Sequence, residues 1–146
     1  MLDILVTGAD GQLGRELRRL GAASPDRYVF TDVAELDITD REAVCRRVRD
    51  EHADIIVNCA AYTNVDRAEE DEATARRINR DAVANLAYAA RECGATLVHV
   101  STDYVFGGGG NTPRTEQTPT EPLGVYGRTK LEGEEAILAS GCRYLI

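Results

Sequence analysis

The 146-residue chain has no CxxC pair, and two histidines are all it has to accompany its four cysteines, Cys45, Cys59, Cys93 and Cys142. Without clustered Cys and His, zinc-finger and dithiol-redox readings fall away, and no metal is expected. Cys59, inside an apolar run, reads as a small buried hydrophobe. Basic residues are also in deficit, 17 Lys and Arg against 25 Asp and Glu, a net charge of -8. A phosphate backbone needs clustered cations, so no nucleic-acid partner is expected. A small phosphorylated ligand stays open, because backbone N–H groups at a helix start bind phosphate without net positive charge. No apolar run is long enough to cross a bilayer, so no membrane partner is expected. A basic n-region and a long h-region are missing, so no signal peptide is expected and a cytoplasmic location is the default. Internal repeats are absent, and the one low-complexity patch is Gly107–Gly110, which needs a flexible or tightly turning backbone.

The chain does contain alternating strand and helix signals. Its length suits one domain. Leu2 to Thr7 reads as a strand, Gly8 to Gly14 as a turn, and Leu13, Leu17 and Leu20 recur at helical spacing. Tyr28 to Thr31 reads as a second strand ending at Asp32. Thr39 and Glu42 have capping-box spacing ahead of a second helix. Asp54 to Ala60 is a third strand. Ile78, Ala82, Leu86, Ala89 and Cys93 share a helix face, with Gly94 at the C-cap position. Thr96 to Ser101 is a fourth strand, residues 103–124 a loop, 125–139 a helix, and Tyr144 to Ile146 the start of another strand. Near-continuous apolar strands separated by helices imply βαβ units and a parallel sheet covered on both faces.

Gly8, Gly11 and Gly14 punctuate TGADGQLG at residues 7–14. A strand that turns sharply into a helix, with a pyrophosphate approaching its backbone, requires glycines at such positions. A plain strand-to-helix turn would use similar residues, but the flanking strand and amphipathic helix favour nucleotide binding. Asp32 follows at 18 residues from Gly14, where a carboxylate can take hydrogen bonds from an adenosine ribose. It would repel a 2′-phosphate, favouring NADH, although Arg27 or another cation could admit NADPH.

Tyr126 and Lys130 form YxxxK, and residues four apart share a helix face. An ammonium near a phenol stabilises phenolate and lowers the tyrosine from its usual value of about 10. Such a tyrosine can protonate a carbonyl oxygen as hydride reaches carbon. YxxxK alone is often a bland surface pair. Thr102 at the tip of the TLVHVST strand makes the set more specific, since ligands in open α/β sheets bind at strand C-termini.

These segments, with IIVNCAAYTNVDRAE (55–69), VSTDYVFGG (100–108), GNTPRTE (110–116) and PLGVYGRTKLEGE (122–134), resemble the extended short-chain dehydrogenase/reductase family, and within it the branch that reduces dTDP-4-dehydrorhamnose. The resemblance implies a Rossmann-like, doubly wound parallel α/β sheet and an NAD(P)H-dependent oxidoreductase, with NADPH or NADH as cofactor. It implies that Gly8, Gly11, Gln12, Leu13 and Gly14 serve the pyrophosphate. Asp32, Asp37 and Ile38 would lie by the adenosine, and Ala61, Tyr62 and Thr63 on the nicotinamide side. Thr102, Tyr126 and Lys130 would be catalytic, Lys130 also holding the nicotinamide ribose. Thr102 and Asp103 would touch the sugar of a nucleotide-sugar substrate. Asn79 would have a structural role, a helix–loop hydrogen bond. Relatives continue past this length, so residues 1–146 are expected to be the NAD(P)-binding domain, truncated before the C-terminal substrate lobe, with little turnover alone. A nucleotide-sugar epimerase or dehydratase, and a non-catalytic regulatory subunit on the same fold, are the alternatives. A homodimer is left open.

Overall fold

The computed structural model describes residues 1–110 and 112–146; Asn111, in the 110–116 segment quoted above, lies outside the described residues. Five parallel strands form one sheet in the order β2-β1-β3-β4-β5: β1 Asp3–Thr7, β2 Arg27–Thr31, β3 Ile55–Asn58, β4 Thr96–His99 and β5 Arg143–Leu145. The order reverses beside β1. Right-handed crossovers then place α1 (Gln12–Gly21) on one face, and α2 (Arg41–Asp50), α5 (Ala82–Cys93) and α6 (Val125–Ser140) on the other. The chain thus has the expected Rossmann-like α/β architecture. No described helix is long and apolar enough to cross a membrane.

The two faces are not equally covered. Leu5, Ile56 and Leu97 point toward α2, α5 and α6 and are fully buried with Val44, Val48, Leu86 and Ile137. Each such side chain contributes about 1.5–3 kcal/mol by leaving water. On the opposite face α1 lies over β2, where Gly21 abuts the Tyr28 ring and the Arg18 guanidinium sits 4.7 Å from the Phe30 ring centre. Ile55, Val57 and Val98 on that face are only half-buried. The sheet is thus covered on both faces, fully on the α2–α5–α6 side and, on the α1 side, most closely over β1, where Ile4 and Val6 are buried. The Leu13–Leu17–Leu20 stripe has correspondingly little to pack on, and Leu13 and Leu20 are exposed.

Several local readings change. The second helix is capped by Asp40, whose carboxylate accepts from the Ala43 N–H, and not by Thr39. Thr39 instead donates to Asp37. A cap of this kind contributes about 1 kcal/mol. Two short helices ahead of α5, α3 (Val65–Glu70) and α4 (Glu72–Arg76), have no apolar stripe long enough to signal them and are started by Asn64 and Asp71. A π-helical turn, Arg77–Asp81, joins α4 to α5. Its extra residue shifts the helical phase. Ile78 therefore leaves the Ala82–Leu86–Ala89 face, while Asn79 turns inward and is buried. Gly94 closes α5 with φ +72, the left-handed cap anticipated there.

Candidate dinucleotide cleft and proton-transfer residues

The glycine turn is built by close approach. Gly8 has φ +65, and a Cβ there would lie 2.6 Å from the Ala60 nitrogen. At Gly14 a Cβ would lie 2.5 Å from the Ala9 Cα, so this glycine seats α1 against the turn. Gly11 begins α1 with no side-chain cap, and the following N–H groups face outward with the positive end of the helix dipole behind them.

A cleft of about 870 Å³ opens at this helix start. Gly8, Gly11, Gln12, Leu13, Asp32, Asp37, Ile38, Ala61 and Thr63 of the expected residues line it. Gly14 and Tyr62 are not in its lining. The Tyr62 ring packs with Val125, Ala68 and Ala75, and its backbone is clamped at both N–H and C=O by the Asn79 amide, at 2.8 and 3.1 Å. Asn79 also donates to Thr129, so one buried amide ties the loop after β3 to α6.

Asp32 closes β2, and its carboxylate accepts from the Asp10 N–H at 2.9 Å and from its neighbour Val33. It therefore pins the glycine turn as well as facing the cleft. Asp37 accepts from the Thr39 hydroxyl and N–H, and these bonds, with Arg77 nearby, hold its carboxyl below the ordinary carboxylate range. Arg27 cannot serve as a cation here. It starts β2 at the opposite end of the sheet and bonds Asp3 and Glu51. Arg77 is the cation of the cleft, and Ile78, Val100 and Cys59 join its wall. Sequence reasoning missed Arg77, Ile78 and Val100, because the π-helical turn and the end of β4 carry no motif. Cys59, expected inside a strand, follows β3 and is half-buried, which raises its thiol.

A second cleft, about 550 Å³, is lined by Asp103, Tyr104, Phe106, Leu123 and Tyr126. The Tyr126 ring meets that of Tyr104 edge to face at 5.5 Å. Glu69 accepts from the Val125 N–H at 2.7 Å and so caps α6 immediately before Tyr126. Thr102 accepts from the Tyr104 N–H and donates to Asp103, starting a 3-10 turn, Asp103–Val105.

Lys130, the chain's one lysine, is 2% exposed. Its Nζ donates to the Val100 carbonyl at 2.7 Å and lies 3.4 Å from His99 Nε2. Burial lowers it from 10.5 to about 8, while Glu134 pulls the other way. A gap of that size costs roughly 3 kcal/mol of stability at neutral pH, because the unfolded chain binds the proton more tightly. The cost is full below about pH 8 and fades as pH rises toward 10.5. Lys130→Met is therefore expected to stabilise the fold by about 1–3 kcal/mol at pH 7, a gain that shrinks by pH 10. Urea unfolding at the two pH values checks this. A loss of stability at pH 7 would show the lysine to be structural.

A family model described as RmlD substrate binding domain matches residues 2–146. The chain is 45% identical over 141 residues to the dTDP-4-dehydrorhamnose reductase of Mycobacterium tuberculosis, covering 94% of this chain and 46% of that protein. Its structure is similar to a dTDP-4-dehydrorhamnose reductase from Clostridium acetobutylicum, with TM-score 0.93 and 43% identity over 97% of this chain and 50% of that one. It is also similar to the Bacillus anthracis enzyme in complex with NADP, with TM-score 0.90 and 36% identity over 99% of this chain and 52% of that one. The chain spans about half the length of the relatives it matches.

Proposed function

The chain belongs to the RmlD substrate binding domain family, and from that premise we propose that it provides the dinucleotide site and proton-transfer residues of a reductase that converts dTDP-4-dehydro-L-rhamnose to dTDP-L-rhamnose. One observation carries the reading. A single cleft runs from the uncapped start of α1 to Val100, whose carbonyl holds the amine of Lys130. Both ends have the chemistry that a nicotinamide dinucleotide needs: bare N–H donors for pyrophosphate, and a lysine within one residue of the wall.

NADPH or NADH, when bound, supplies the hydride. The chain's own residues do the rest. Gly11, Gln12 and Leu13 present backbone N–H groups to the phosphates. Asp32 and Asp37 serve the adenosine end, and Arg77 offers the cation that a 2′-phosphate requires. Ala61 and Thr63 line the far wall. Tyr126 gives its phenolic proton to the substrate carbonyl oxygen, Lys130 favours the phenolate left behind, and Thr102 with Asp103 orients the sugar. The sugar enters from the second cleft, where Tyr126 and Asp103 both stand. The partner is thus a nucleotide-sugar, and cytoplasmic residence accords with that substrate.

Titration of the chain with NADPH and NADH, followed by cofactor fluorescence, tests the reading. Saturable binding of both is expected. Arg77→Gln is expected to weaken NADPH about tenfold while leaving NADH nearly unchanged, the loss of one charge-assisted contact. No saturable binding of either cofactor would overturn the proposal.

A further inference from the structure

Thr7, Asn58 and His99 end β1, β3 and β4 in register, so their side chains form a row across three strand tips, and Lys130 from α6 closes it. All four are at most 2% exposed. The proton inventory of this row is determined by geometry. Asn58 Oδ1 receives the Ala60 N–H at 3.1 Å and the Thr7 hydroxyl at 2.7 Å. A backbone N–H only donates, so the atom facing it must be the amide oxygen. The Asn58 NH₂ group therefore faces His99 Nδ1, at 3.0 Å, and that ring nitrogen must accept. A neutral imidazole with an accepting Nδ1 carries its proton on Nε2. That N–H points at Lys130 Nζ.

We infer that His99 is a positioning residue: held by Asn58 as the Nε2–H tautomer, it donates to Lys130 Nζ when this lysine is a neutral amine and so weakens the lysine's hold on its proton in the chain without ligand. An ammonium has three donors and no lone pair, so it cannot answer an N–H. A neutral amine can accept from His99 and still donate to the Val100 carbonyl. Burial keeps His99 uncharged, pushed down to about 3, and any charge on Lys130 pushes it the same way. Glu134, the nearest carboxylate on the lysine's own helix, favours the charged amine, but its oxygen is shared with the Ser101 hydroxyl. The charged groups that other elements bring to α6 pair elsewhere on it, Glu69 with the Val125 N–H, Arg76 with Glu132 and Glu72 with Arg128, while Asn79 from the π-helical turn, bonded to Thr129 beside the lysine, is uncharged. Lys130 thus holds its proton more tightly on leaving His99 for an acceptor in the cleft, so its proton affinity is coupled to ligand arrival.

The inference rests on the proposed role of Lys130 beside Tyr126, yet its test needs no cofactor. Because Lys130 is the only lysine, ¹³C-lysine labelling gives one side-chain signal to titrate. His52→Gln, at an exposed site, leaves His99 as the only histidine. Two-bond ¹H–¹⁵N spectra of that variant are expected to show the Nε2–H tautomer, and the lysine signal to titrate at or below about pH 8. His99→Gln, which can turn an amide oxygen to the amine, should raise the lysine midpoint by at least about one unit, a tenfold change in proton affinity. An Nδ1–H tautomer, a wild-type midpoint near 10.5, or a midpoint unmoved in a folded His99→Gln variant would each overturn it. Should the chain bind NADPH yet show Nδ1–H, the dinucleotide reading stands and this inference fails. Should it show Nε2–H and bind neither cofactor, the reverse holds.

Discussion

Gly8→Ala is expected to cost more than about 3 kcal/mol, a loss in the range where a single substitution unfolds a marginal domain. Two penalties add at this position. The left-handed backbone, φ +65, is one; for a residue with a Cβ it costs about 1–2 kcal/mol. Crowding is the other, because the new carbon would lie 2.6 Å from the Ala60 nitrogen and 2.8 Å from the Cys59 carbonyl carbon. Both atoms are backbone and cannot rotate away. Relief requires β1 and β3 to separate at their tips, where Thr7 and Asn58 are hydrogen-bonded across the same gap. Gly94→Ala is the internal control. That glycine also has positive φ, +72, but nothing lies within 4 Å of its absent Cβ, so only the same conformational cost of about 1–2 kcal/mol is expected. Urea midpoints for both variants separate space from conformation. Equal losses would show that the close approach at Gly8 contributes nothing.

Tyr126→Phe is expected to lower ketone reduction by roughly 10²–10⁴, the usual worth of a positioned general acid. The measurement calls for the polypeptide continued to the length of its relatives, with a dTDP-linked 4-keto sugar as substrate. Cofactor affinity is expected to change by less than about twofold, which places the loss in the chemical step. The substitution is mild to the fold. The Tyr126 ring packs edge to face against Tyr104 and beside Val125 and Ala68, and phenylalanine keeps each of these contacts. Reduction within tenfold of wild type would remove Tyr126 from the mechanism and leave the second cleft without its proton donor.

Both predictions concern residues that local rules identify. The glycine spacing, the strand before it and the helix after it are consecutive in the chain, so a reader of the sequence meets the whole device within residues 2–20. Tyr126 and Lys130 are likewise one helical turn apart. Other parts of the site have no such signature. Arg27, five residues before Asp32 in the sequence, is named above as a cation that could admit NADPH. A parallel strand sends its first and last residues to opposite ends of the sheet, however, and Arg27 emerges beside Asp3 and Glu51. Arg77 and Ile78 enter the cleft through a π-helical turn. One added residue there rotates the helix phase, which no apolar periodicity announces. The α1 leucines, regular enough in sequence to suggest a core face, lie where few described side chains meet them.

The sequence by itself determined the order of the strands and of the longer helices, the parallel α/β class, the glycine turn and the YxxxK helix, because each depends on neighbours within a few residues. Only the tertiary structure decided which strands stand side by side, and therefore that Thr7, Asn58 and His99 meet at their tips and end against Lys130. Those four residues span more than 120 positions in the chain. Their contact comes from strand register, which aligns residues by backbone hydrogen bonding across the sheet and not by spacing along the chain.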